Sequence, residues 1–114
     1  MGATDFYQTA TGKTAREAFN NAVKQAQWDY GHAGYTGTIA EKDGFEEVIL
    51  PDDIDPTEFL RWVKRTAAEQ VQDVPVHVKY HVDRAAKKYD DKWGPAVCVK
   101  LEDGVYAFTG WASC

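Results

Sequence analysis

Apolar residues recur at helical spacing in three stretches of the chain and alternate with polar residues in shorter ones. Residues 5–10 read as a short strand, and Thr11-Gly12-Lys13 turns the chain. Thr14 followed by Glu17 fits a capping box, so a helix is predicted over 15–30. Phe19, Val23, Ala26 and Tyr30 form its apolar face, and Gly31 is a natural stop. Residues 36–42 and 45–50 read as two strands joined at Asp43-Gly44, a type I′ hairpin signal. After Pro51-Asp52-Asp53, Asp55 as cap, Pro56 and Glu58 announce a second helix. Its apolar face is Phe59, Leu60, Val63 and Ala67.

Residues 74–93 satisfy two patterns. Val74, Val76, Val78 and Tyr80 alternate as in a strand, whereas Val78, Val82, Ala85, Tyr89 and Trp93 recur as on a helix. The second match is longer and favours a helix over 78–92, ended by Gly94-Pro95. A closing hairpin is predicted from 96–101 and 105–112 around Asp103-Gly104. The order is strand, helix, hairpin, two helices, hairpin. That order predicts one α+β domain over 1–114, with about five mainly antiparallel strands and the helices on one face of the sheet.

A two-residue turn at Asp103-Gly104 pairs Leu101 with Tyr106, Val99 with Phe108 and Val97 with Gly110 on one face. The other face then carries Lys100, Ala107, Cys98, Thr109, Ala96 and Trp111, a shallow surface for coverage by a helix or for binding. The same reading of the first hairpin sets Glu41 opposite Glu46. Two facing carboxylates need solvent, a cation or a proton.

Composition narrows the class. The chain has 114 residues, 44% hydrophobic and 27% charged, which is ordinary for a globular domain and excludes disordered and collagen-like chains. No apolar run approaches the ~20 residues of a membrane span, and the first residues lack the basic start and apolar stretch of a secretory signal. A cytoplasmic location is expected. Cys98 and Cys114 are too few for a disulfide scaffold, and no CxxC suggests a metal or redox pair. Of the net charge of −5, residues 41–58 hold −7, from eight carboxylates against Lys42, which leaves +2 elsewhere. The chain therefore has no net basic footprint for nucleic acid, but its acidic segment suits a charge-directed contact with a basic partner.

Candidate chemistry is sparse. Gly12-Lys13-Thr14 lacks the earlier glycine of a phosphate loop, since Tyr7 stands there. Lys13 and Thr14 at a helix start still define a weak anion-binding candidate. Gly31 to Gly37 holds three glycines with His32, Tyr35 and Thr36, and reads either as a bent connection or as a loop for a ligand or partner. Trp28 lies nine positions after Phe19, which at about 100° per residue puts it opposite the apolar stripe, beside Asn21 and Lys24. His77 and His81 have metal-ligand spacing, but the glutamate of the zinc-protease pattern is missing, so no metal or other cofactor is assigned.

Two stretches, Asp29-Tyr30-Gly31-His32-Ala33-Gly34-Tyr35-Thr36-Gly37-Thr38-Ile39-Ala40-Glu41-Lys42 and Trp93-Gly94-Pro95 with Tyr106-Ala107-Phe108-Thr109-Gly110-Trp111-Ala112-Ser113, resemble small uncharacterised proteins found in phage and archaeal genomes. The resemblance covers about a quarter of the chain, brings no catalytic residue with it and implies a phage-type accessory role. The expected function is non-enzymatic binding of a protein partner, or self-association, through Trp28, His32, Tyr35, Thr36, Glu41, Trp93 and Trp111. The alternative is a nucleotide or small-phosphate binder or hydrolase, with Lys13 on the phosphate and Glu41 as base.

Overall fold

The computed structural model describes residues 2–31, 34–70 and 72–114. The elements are β1 (Ala3–Thr11), α1 (Ala15–Tyr30), a 3-10 turn (Ile39–Glu41), β2 (Phe45–Glu47), α2 (Pro56–Ala67), α3 (Val76–Asp90), β3 (Ala96–Glu102) and β4 (Val105–Ser113). They form an α+β fold around a mixed sheet of four strands in the order β1-β4-β3-β2. The β1/β4 and β3/β4 pairs are antiparallel, and β2 runs parallel to β3.

The local signals hold where they are self-contained. Thr14 Oγ1 accepts from the Glu17 amide at 3.1 Å and caps α1. Pro56 opens α2, although Asp55 makes no side-chain cap bond. Val78, Val82, Ala85 and Tyr89 are buried on α3, which starts at Val76 and settles the ambiguous stretch as helix. Trp93 lies beyond the end of α3 and is exposed instead of completing its stripe.

The first predicted hairpin does not form. Thr38 Oγ1 accepts from the Ala40 amide and starts the 3-10 turn where a strand was expected. The Gly44 carbonyl then accepts from the Ala96 amide, which starts the pairing of β2 with β3. The two-helix connection through α2 and α3 returns the chain in the same direction, which makes this pair parallel. Glu41 and Glu46 are consequently not cross-strand partners. Glu46 meets Arg84 Nε at 2.9 Å, and Glu41 turns to Thr36.

The C-terminal hairpin keeps its turn but shifts its register. Glu102 faces Val105 as expected, yet an irregularity at Leu101 pairs Lys100 with Tyr106, Val99 with Ala107 and Val97 with Thr109. One extra residue exchanges the partners of every following position. Tyr106 and Phe108 therefore join Ala96 and Cys98 on one face, while Val97, Val99 and Ala107 occupy the other.

Both faces are apolar and both are covered, which corrects the expectation of helices on one side. Ala15, Ala18, Ala22 and Ala26 bring α1 close to the first face, where Phe19, Phe45 and Phe108 pack with ring centroids 5.2–5.9 Å apart. Helices α2 and α3 cover the second face with Phe59, Leu60, Val63, Val78, Val82 and Tyr89. Ala26 is the last buried residue of α1, so Tyr30, expected in the stripe, is exposed.

Candidate functional site

The last glycine of the connection after α1, Gly37, lies against the end of the sheet. Gly37 has φ of +71°, and its amide donates to the Ser113 carbonyl at 2.7 Å. A Cβ at this position would lie 2.5 Å from Thr4 Cγ2, so the close approach that requires glycine is to β1 and β4. His32 lies outside the described residues.

Thr36 and Glu41 satisfy one another. The amide and hydroxyl of Thr36 both donate to Glu41 Oε2, at 3.0 and 2.8 Å, and the Thr36 and Thr38 hydroxyls are 2.8 Å apart. This network fixes the chain beside Tyr35. The Tyr35 ring meets Trp93 edge to face, with centroids 5.9 Å apart and planes at 75°. Both rings are exposed, at 51% and 65%. Lys92 Nζ sits 5.2 Å from the Trp93 ring centroid and adds a cation to the pair.

Trp93 is held from beneath by Lys42. Only 5% of Lys42 is exposed, and its ammonium donates to the carbonyls of Asp91, Lys92 and Gly94 at 3.1, 3.3 and 3.0 Å. These carbonyls follow the C-terminal end of α3, where the helix dipole favours a cation. Burial pushes the Lys42 pKa below its ordinary value, against an opposing pull from Asp91. Asp91 Oδ1 also accepts from the Trp93 amide at 3.0 Å. An exposed aromatic ring therefore stands on a fixed backbone.

The other predicted residues are dispersed in role. Trp28 is 86% exposed on α1. Trp111 is partly buried against the α2/α3 cluster and serves the core. At Lys13 and Thr14, Glu17 Oε1 accepts from the Lys13 amide at 3.2 Å, so the protein's own carboxylate occupies the start of α1 and repels an incoming anion. Three of the eight carboxylates in the acidic segment are paired internally: Glu46 with Arg84 and Lys88, Asp53 with His77, and Glu58 with Arg61. That pairing weakens the charge-directed reading.

His77 and His81 do not converge on a metal site. His77 Nε2 lies 3.1 Å from Asp53, and the His81 ring meets Tyr80 edge to face. Among the described residues, no group of three or more His, Cys, Asp or Glu side chains is arranged to hold an ion. Burial, with the nearby charge of Glu47, pushes the Cys98 thiol up to about 12 and keeps it protonated at neutral pH. No helix is long and apolar enough to cross a membrane, among the described residues.

Two placements escape a reading of the pattern. Lys42 stands in a run of carboxylates and looks solvated, and its carbonyl partners lie about fifty residues away. Tyr30 continues an apolar spacing that outruns the sheet. The alanine stripe, ending at Ala26, is the signal that marks where burial stops. Comparison with protein-family models, curated proteins and solved structures found no match to this chain.

Proposed function

We propose that this chain is a non-enzymatic interaction protein that takes a protein partner on the aromatic surface of Tyr35 and Trp93, with Trp28 as a further anchor. The observation that carries the reading is an exposed Tyr–Trp pair on a backbone fixed by Lys42, Asp91 and the Thr36–Glu41 network. Tryptophan and tyrosine dominate the energetics of protein interfaces because a rigid ring buries much surface at little entropic cost. Preorganised backbone lowers that cost further. The net charge of −5 argues against nucleic acid as the partner. The phosphate-ligand reading loses support because Glu41 and Thr36 are bonded to each other and Glu17 occupies the start of α1. The resemblance to phage proteins makes a host protein the first class of partner to test.

The test is affinity capture with the immobilised wild-type chain and with the Trp28→Ala/Trp93→Ala double variant, quantified by mass spectrometry. A protein retained by the wild type and lost from the double variant supports the proposal. Equal retention by both baits overturns it. A thermal shift with millimolar nucleotide, absent from a Glu41→Gln variant, would instead favour the small-ligand reading.

A further inference from the structure

We infer that two copies of this chain pair edge to edge through β1, antiparallel, with Tyr7 of each copy on the two-fold axis. The inference uses β1 residues 5–9 and stands independently of the Tyr35–Trp93 surface.

The two edges of the sheet are unlike. β2 is three residues long, and two of them are glutamates. Short, charged strands are how sheet edges usually avoid pairing. β1 has nine residues, Ala-Thr-Asp-Phe-Tyr-Gln-Thr-Ala-Thr, with no proline, glycine or lysine. Its register with β4 runs without a bulge from Ala3↔Ser113 to Thr11↔Val105. Among the described residues, no strand pairs with its outer side.

The direction of the free backbone groups follows from the ends of the ladder. The Gly12 amide donates to Gly104 at 3.0 Å and the Cys114 amide to Gly2 at 3.3 Å, so even-numbered residues bond to β4. The odd-numbered residues Ala3, Asp5, Tyr7, Thr9 and Thr11 turn their amides and carbonyls outward. The Thr11 carbonyl bears this out by accepting from Asn21 Nδ2 at 2.9 Å. Asn21 thus closes one end of the edge and leaves Asp5, Tyr7 and Thr9 at its centre.

An antiparallel self-pair centred on Tyr7 sets Asp5 opposite Thr9 of the second copy and Tyr7 opposite Tyr7. Outward groups meet outward groups, giving about six backbone hydrogen bonds from these three residues. No like charges face one another. Centring the pair on Asp5 instead would oppose two carboxylates. The Tyr7 rings, each 56% exposed, cover one another across the axis. Nearby cations are already matched, Lys64 to Asp5 at 3.2 Å and Arg61 to Glu58 at 2.8 Å. This self-complementarity makes a second copy the occupant.

A strip of this size lies at the small end of specific interfaces, so dissociation in roughly the micromolar range is expected. Sedimentation over about 1–500 μM should show the wild type passing from one chain to two. Tyr7→Lys and Tyr7→Glu, with unchanged circular dichroism, should each stay monomeric, at least tenfold weaker in self-association. Their equimolar mixture should form a heterodimer. Thr9→Pro, which removes an outward amide and no native hydrogen bond, should also be monomeric. A wild type that stays monomeric throughout, a Tyr7→Lys variant that dimerises as the wild type does, or a mixture that fails to associate would each overturn the inference.

Discussion

Trp62 and Trp111 lie against the α2/α3 cluster, whereas Trp28 and Trp93 stand in solvent. The same side chain thus occupies two environments. The inner pair is partly buried against the α2/α3 cluster, and its positions follow from packing. The outer pair has no such support, yet Trp93 rests on a backbone with a buried lysine beneath it. Among the described residues Trp28 has no comparable clamp, since the side-chain hydrogen bond on its helical turn is the exposed Gln25–Asp29 contact. An exposed ring on a fixed base differs from one on a free helix face, and Trp93 is the better candidate for the dominant contact.

The comparison breaks first on stability. Trp111→Ala should cost about 2–3 kcal/mol in urea unfolding, less than a fully buried tryptophan because the ring is only partly covered. A loss comparable to that of an exposed site would remove Trp111 from the inner pair. Lys42→Met should cost about 2 kcal/mol, because it removes the ammonium donor from three carbonyls near the end of α3, of which Asp91 alone keeps a backbone donor in the Gly94 amide. The same variant should weaken partner binding with Trp93 still present, which is how the clamp is separated from the ring.

A pH experiment sharpens the inner side. Asp5, opposite Trp111 in the ladder, joins β1 to Lys64 on α2 and Tyr89 on α3. Burial alone would raise the Asp5 pKa, but hydrogen bonding and charge from Lys64, with the Tyr89 hydroxyl, outweigh it and hold the pKa below 3.8. A carboxylate with a depressed folded pKa stabilises above its unfolded value, and that contribution disappears as pH falls through the folded pKa. The stability gap between wild type and Asp5→Asn should therefore be widest near neutral pH and close below pH 3.8. The smallest effects belong to the outer pair. Trp93→Ala and Trp28→Ala should each change stability by under ~0.5 kcal/mol, measured by the same unfolding curves.

The parts of the fold legible in the sequence are those decided within one turn of helix or one hairpin. Thr14 with Glu17, Pro56, and the spacing of Val78, Val82, Ala85 and Tyr89 mark all three helices. Asp103-Gly104 marks the last turn. The irregularity at Leu101 is not local, because it lets Phe108 reach Phe19 on α1 while Val99 stays with α2 and α3. Residues 36–42 mislead for the same reason. The Asp43-Gly44 turn signal suggests a hairpin strand, but Lys42 finds carbonyls beyond α3 that no short-range pattern announces. Tyr35 and Trp93 stand out singly by residue type, and their contact emerges only once Lys42 and the 3-10 turn bring the two segments together.

On the proposed function, the outer aromatics serve a partner and the inner ones serve the fold. Calorimetric titration of the captured partner into wild type and into Trp93→Ala, at matched thermal midpoints, tests it most directly. Binding to the variant should be at least tenfold weaker, or about 1.4 kcal/mol. An unchanged dissociation constant in a folded Trp93→Ala protein would contradict it.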